Sequence, residues 1–174
     1  MTEGSFEGID SIKIFTREWQ PTGKPRAVVV ISHGFNAHSG LYEWPAQQFV
    51  SKGLAVHALD HRGRGRSEGE RFFVKKFADW TTELATFIDM VKAREPGLPV
   101  FLLGQSAGGV IACGYTLEHQ GEIAGLICED FAYQVPAPDI ALAILKGSAT
   151  WRRTRTCSSS RTKTFHETRQ SWRR

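Results

Sequence analysis

Pro99-Val100-Phe101-Leu102-Leu103-Gly104-Gln105-Ser106-Ala107-Gly108 decides how this chain is read. Its first five residues form a short apolar run, the pattern of a strand covered on both faces. A serine between two glycines follows, where the strand would turn into a helix. Gly-x-Ser-x-Gly in that setting is the pattern of a nucleophile raised on a sharp bend, and the glycines make so tight a bend sterically possible. The chemistry implied is acyl transfer, most often ester hydrolysis.

Working outward, apolar runs recur at Ala27 to Ser32, Leu54 to Leu59 and Ile123 to Cys128, while Ser11 to Trp19 sets Ile12, Ile14 and Phe15 among polar residues. All read as strands. Between them, Phe77, Trp80, Leu84, Ile88 and Val91 recur at helical spacing until Glu95-Pro96-Gly97 stops the helix. A second helix is expected from Leu41 to Ser51, with Ser39 at its cap and Gly53 at its end, and a third from Ser106 to His119. Strands alternating with helices predict right-handed crossovers and an α/β fold with a mainly parallel, doubly wound sheet. Ligands in such sheets meet the loops at the carboxyl ends of the strands. Three loops share that rim: Ser32-His33-Gly34-Phe35, Asp60 to Gly69, and the serine bend.

The chain has 174 residues, 41% hydrophobic and 23% charged, ordinary values for one globular domain. No basic start followed by an apolar run resembles a signal peptide, and no stretch is long enough to cross a bilayer. Three cysteines without metal-type spacing suggest a reduced, cytoplasmic protein, with Cys113 and Cys128 as small buried apolar residues. The net charge of +4 is unevenly placed. Residues 147–174 hold eight Lys or Arg against one acid, leaving residues 1–146 at −3, so a nucleic-acid reading rests on the tail alone.

Ester hydrolysis passes through an oxyanion that needs preorganised N–H donors, each worth on the order of 3 kcal/mol. The expected donors are the backbone N–H groups of Ala107, after the serine, and of Phe35, in the early His-Gly loop. A simple tight turn is the plain alternative for His33-Gly34. The loop Asp60 to Gly69 lacks the lysine and hydroxyl of a phosphate loop, and Gly63, Gly65 and Gly69 have the wrong spacing for a dinucleotide. It is read as a structural brace of the rim, through Arg62 bonding to loop carbonyls. His33, His38, His57 and His61 lie on different segments without paired spacing, so no metal site is expected.

Taken in order, Ser32 to Tyr42, then Asp60 to Gly69, then Gly104-Gln105-Ser106-Ala107-Gly108-Gly109 resemble the monoacylglycerol lipase and lysophospholipase branch of the α/β-hydrolases over roughly residues 8–146. The resemblance implies Ser106 as nucleophile, Phe35 and Ala107 as oxyanion donors, and a helical cap over an acyl pocket. It also implies hydrolysis of monoacylglycerol or lysophospholipid esters without metal or cofactor. A small acyl ester or lipid would be the partner, with peripheral membrane contact and no nucleic acid. Related acyltransferases and haloperoxidases share the bend.

An Asp and then a His should follow the serine, and here the pattern breaks. Only His119 and His166 come after Ser106. His119 ends the helix that follows the bend, and His166, which with Asp139 would satisfy the order, lies in a tail without strand pattern. The sheet is therefore expected to stop after its sixth strand, leaving residues 1–146 as the N-terminal part of the fold and Ile123 to Cys128 as an open edge. Residues 147–174 read either as a disordered basic arm or as the product of a shifted reading frame. Codons can be chosen so that the adjacent frame encodes a segment with helical periodicity similar to the start of the family's cap, and that reading is preferred. The expected function is serine ester hydrolysis through an acyl-enzyme on Ser106; the alternative, which the missing base favours for this exact chain, is a catalytically dead truncated remnant lacking the triad acid and histidine.

Overall fold

The computed structural model describes residues 1–131. The boundary expected at 146/147, the tail, Cys157 and the Asp139–His166 pair lie outside them. Six strands form one sheet: β1 (Thr2–Glu7), β2 (Lys13–Trp19), β3 (Ala27–Ser32), β4 (Leu54–Leu59), β5 (Val100–Gln105) and β6 (Gly125–Glu129). Their order is β1-β2-β4-β3-β5-β6. The pairs β3–β4, β3–β5 and β5–β6 are parallel, while β1–β2 and β2–β4 are antiparallel.

Residues of alternate parity separate the two faces, as the pleat requires. On one face Val28, Val30, Ala55, Leu59 and Leu102 pack with α2 (Phe77–Arg94) and α3 (Ala107–Glu118), which contribute Leu84, Phe87, Ile88, Val91, Ile111 and Tyr115. On the other, Val29, Ile31, Val56 and Ala58 pack with Ala46 of α1 (Glu43–Ser51) and with Trp19 and Tyr42. The expected doubly wound architecture is what the chain adopts. The chain steps from β3 to β4 in one direction and from β5 to β6 in the other, so the order reverses between β3 and β5. A crevice opens at such a point, beyond the carboxyl ends of the strands.

The sequence expectation for α1 is corrected at its start. Ser39 to Tyr42 form a 3-10 turn before the α-helix, and the cap is His38, whose Nδ1 accepts the Gly40 N–H at 3.1 Å. Ser39 instead directs its side chain to Asp60. The cysteines are less buried than expected, with Cys113 half-buried and Cys128 exposed near the end of β6, which pairs only with β5 among the described residues.

One buried ion pair ties α2 to the rim. Glu83 lies among the apolar residues of α2, and its carboxylate takes Arg62 Nε at 3.0 Å and Nη2 at 2.6 Å, together with the Ile9 N–H at 3.2 Å. Removing one partner of such a pair strands the other charge. Glu83→Ala is therefore expected to destabilise the fold by about 3 kcal/mol, read as a fall of roughly 10 °C in thermal midpoint. A change below about 2 °C in calorimetry would contradict this assignment.

Candidate active site

Ser106 stands between β5 and α3 with φ 53° and ψ −120°, far from the wells that serine ordinarily occupies. A residue held there costs on the order of 1–3 kcal/mol and persists where its surroundings overdetermine it. The overdetermination is visible. The Ser106 N–H donates to Glu129 O on β6 at 2.8 Å, and its carbonyl accepts the N–H of Gly109 at 2.9 Å. A Cβ on Gly108 would run into the carbonyl oxygens of Ser32 and His33, and one on Gly104 would come within 2.6 Å of Gly108 O and 2.7 Å of Gly109 Cα. Both glycines thus act by permitting close approach of α3 to the strands, while the unusual dihedrals belong to the serine. Ser106 itself is half-buried, so its side chain is reachable.

Facing the bend, the His-Gly loop is held by neutral histidines. His33 Nε2 accepts the His61 N–H at 2.9 Å, so its ring proton sits on Nδ1 and donates to Gly34 O at 2.7 Å. Ser32 gives its hydroxyl proton to Gly108 O at 3.0 Å and so accepts from His61 Nε2 at 2.9 Å. One continuous chain of hydrogen bonds joins the loops after β3, β4 and β5. Burial pushes the His33 pKa down to about 4 and His61 well below its usual value, which keeps both rings neutral as this network requires. His33 also sets the Gly34–Phe35 peptide. With the Gly34 carbonyl gripped, the trans peptide holds the Phe35 N–H pointing the opposite way.

The loop after β4 is a brace, as expected, but through different residues. Arg62 reaches one carbonyl, Ile9 O at 3.1 Å, and otherwise serves the carboxylates of Glu83 and, at 3.5 Å, Asp79; the Glu83 hydrogen bonds raise its pKa. The rim is held by Arg64, with Nε on Phe35 O at 2.6 Å and Nη1 on Gly63 O at 3.1 Å. Asp60, fully buried, accepts the Ser39 N–H and hydroxyl, both at 2.6 Å, and the Arg66 N–H at 2.8 Å. Sequence reasoning missed Glu83, Asp60 and Arg64 in these roles. An acid within an apolar helical stripe and another at the end of an apolar strand were the available signals.

Phe35 and Ala107 line one small cleft with Gly34, His61, Arg64 and Trp80. Among the described residues, neither the Phe35 nor the Ala107 N–H is taken by a protein acceptor. Gly34 presses against the bend, since a Cβ added there would lie 3.4 Å from Ser106 Cβ. The structure therefore brings the serine and both expected donors to the β3–β5 crevice.

A family model described as serine aminopeptidase, S33, matches residues 23–172. This chain belongs to that α/β-hydrolase family. It is 43% identical to human monoglyceride lipase over 118 residues, which are 68% of this chain and 39% of the lipase. A monoacylglycerol lipase of Mycolicibacterium smegmatis is 37% identical over 126 residues, 72% of this chain and 45% of that protein. Among solved structures, a thermostable carboxyl esterase from Bacillus coagulans in complex with glycerol superposes with a TM-score of 0.76 at 29% identity, covering 84% of this chain and 49% of the esterase. The chain spans less than half the length of these relatives.

No described histidine of this family member hydrogen-bonds to Ser106. His33 and His61 are committed to the loops and His38 to the 3-10 turn, while His57 lies 3.7 Å from Glu95 and His119 3.7 Å from Glu122. Glu18, His57 and Glu95 do bring ligand-type atoms within 4.8 Å of one another. Their carboxylates already receive Arg94 at 3.2 Å and Gln20 at 2.7 and 2.5 Å. No helix among the described residues is long and apolar enough to cross a membrane.

Gly108→Ala is expected to abolish cooperative folding or displace α3, because backbone rather than a flexible side chain blocks the added methyl; a wild-type melting temperature would contradict this. His33 carries a pH signature. Its folded pKa is depressed from 6.5 to about 4, so below pH 6.5 the unfolded chain binds a proton that the folded chain refuses. Stability is full above pH 6.5 and falls as pH drops toward 4, by about 3 kcal/mol from this group. Ring-nitrogen NMR should show an Nδ1–H tautomer that does not titrate above pH 5, and titration near 6.5 would refute the assignment.

Proposed function

We propose that this site performs the acyl-transfer half of carboxylic ester hydrolysis, with Ser106 Oγ as nucleophile and the Phe35 and Ala107 N–H groups as oxyanion donors. The observation that carries the proposal is the strained serine at the reversal point of the sheet, next to two amides in one cleft that no acceptor among the described residues takes. Attack of Oγ on an ester carbonyl forms a tetrahedral oxyanion, which those donors would stabilise; departure of the alcohol leaves an acyl-serine for water to hydrolyse. Monoacylglycerol or lysophospholipid esters are the substrate class, by likeness to the monoglyceride lipases. Half-exposed Phe35 and Phe72, their rings 5.8 Å apart at the rim, offer an apolar surface suited to an acyl chain or a lipid surface. A reducing cytoplasm belongs to the same proposal, and three cysteines without metal-type spacing support it.

Activation is a separate matter. Among the described residues no histidine hydrogen-bonds to Ser106; a serine without such a partner keeps its proton, and loss of a triad histidine lowers turnover by on the order of 10⁶. Under this proposal the described residues supply the nucleophile and the oxyanion donors.

Fluorophosphonate labelling tests the proposal in the 174-residue chain. Slow labelling of Ser106 is expected, accelerated by added imidazole or by raised pH, where an external base takes the serine proton. Ser106→Ala should abolish it. An adduct at another residue, or none under any of these conditions, overturns the reading.

A further inference from the structure

Three residues lining the cleft beside Phe35 each hold a buried polar atom without a hydrogen-bond partner among the described residues: His61 Nδ1, Arg64 Nη2 and Trp80 Nε1. Buried polar groups are almost always paired, so three orphans lining one small space point to a missing occupant. The hydrogen-bond network fixes what each orphan wants. Ser32 spends its proton on Gly108 O, so His61 Nε2 carries a hydrogen and His61 Nδ1 is an acceptor. Arg64 Nη2 and the Trp80 indole can only donate. The cleft therefore offers two donors and one acceptor.

A neutral hydroxyl oxygen has the complementary set, two lone pairs and a proton. A carboxylate has no proton for His61, and an ammonium has no lone pair for Arg64 or Trp80. Either would leave a buried group unmatched, at the cost of its desolvation. We infer that this cleft is a binding site for a neutral hydroxyl oxygen, supplied by water or by a short alcohol and held by His61, Arg64 and Trp80. The site stands on the three orphan atoms and does not require Ser106 to be a nucleophile. Its walls suit a small group: the His61 and Trp80 rings meet edge to face with centroids 6.5 Å apart, and the Arg64 guanidinium lies 4.3 Å from the centre of the Phe35 ring.

The test is a titration of the isotopically labelled 174-residue chain with methanol, formate and methylammonium, followed at the Trp80 indole N–H and the His61 ring nitrogens. Two results support the site and identify its source. A saturable shift with methanol alone assigns it to an alcohol; a direct cross-relaxation contact between the Trp80 indole proton and a bound water, with no methanol response, assigns it to water. Saturation by formate or methylammonium overturns the inference, as does a dry cleft with neither contact nor response. Where methanol binds, Trp80→Phe is expected to raise its half-saturation concentration roughly tenfold, read at His61, and an unchanged midpoint counts against the site. The same responses are expected in Ser106→Ala, so failure of the acyl-transfer reading leaves this one intact.

Discussion

Gly108 lies so close to the end of β3 that a single added carbon would enter the carbonyls of Ser32 and His33, and the rest of the site depends on that approach. It brings the first turn of α3 against the His-Gly loop, which is what sets the Ala107 amide in the same cleft as Phe35. It also lets Ser32 bond across the gap to Gly108 O, closing the loop after β3 onto the loop after β5. A strand order that reverses between β3 and β5 provides the crevice. The missing side chain at Gly108 keeps it narrow, with Phe35 and Ala107 lining one cleft.

The walls are stiffened by histidines that do no proton transfer. Imidazole is one of few side chains able to donate on one side and accept on the other across a rigid ring, and His33 uses both nitrogens to join the His61 amide to the Gly34 carbonyl. The role requires neutrality, because a protonated His33 would present a donor to the His61 N–H. Burial supplies that neutrality by penalising the charged form. Asp60 and the Arg62–Glu83 pair brace the rim differently, through charge matched by several hydrogen bonds each. Such pairs contribute little net stability against an apolar alternative but penalise any arrangement that separates them. They fix the loop after β4 in one register, and Arg64 transmits that register to Phe35 O.

Legibility in the sequence followed the physics of each element. β3 and β4 are apolar on both faces, and their bounds could be read directly from Ala27 to Ser32 and Leu54 to Leu59, as could the start of α2 at Phe77. β1 could not, since Thr2-Glu3-Gly4-Ser5-Phe6-Glu7 is largely exposed and becomes a strand only by pairing with β2 at the edge. The serine bend was legible because its glycines answer to local sterics. Which arginine holds the rim was not, because Arg62 and Arg64 sit two residues apart in one loop and the choice is made by Glu83, more than a dozen residues away on α2. His33 and His38 bond to backbone groups, for which sequence carries no signal.

Presentation and activation of the serine are separable, and this chain shows where the division falls. The dihedrals of Ser106 are set by β5, α3 and the Glu129 carbonyl of β6, all within the described residues. None of that geometry uses a catalytic base. An elbow maintained by close packing costs the fold its strain whether or not a histidine stands beside it, so the strain is evidence about presentation alone. What a base would add is a proton acceptor for Oγ, and His33 has none to offer, because its two ring nitrogens serve the Gly34 carbonyl and the His61 N–H. Taking His33 for that task would release the Gly34 carbonyl or the His61 N–H, and with it the orientation of the Gly34–Phe35 peptide. The histidine that sets the Gly34–Phe35 peptide is therefore not free to serve the serine as well, and the bonds that hold the Ser106 bend are made among the described residues without it.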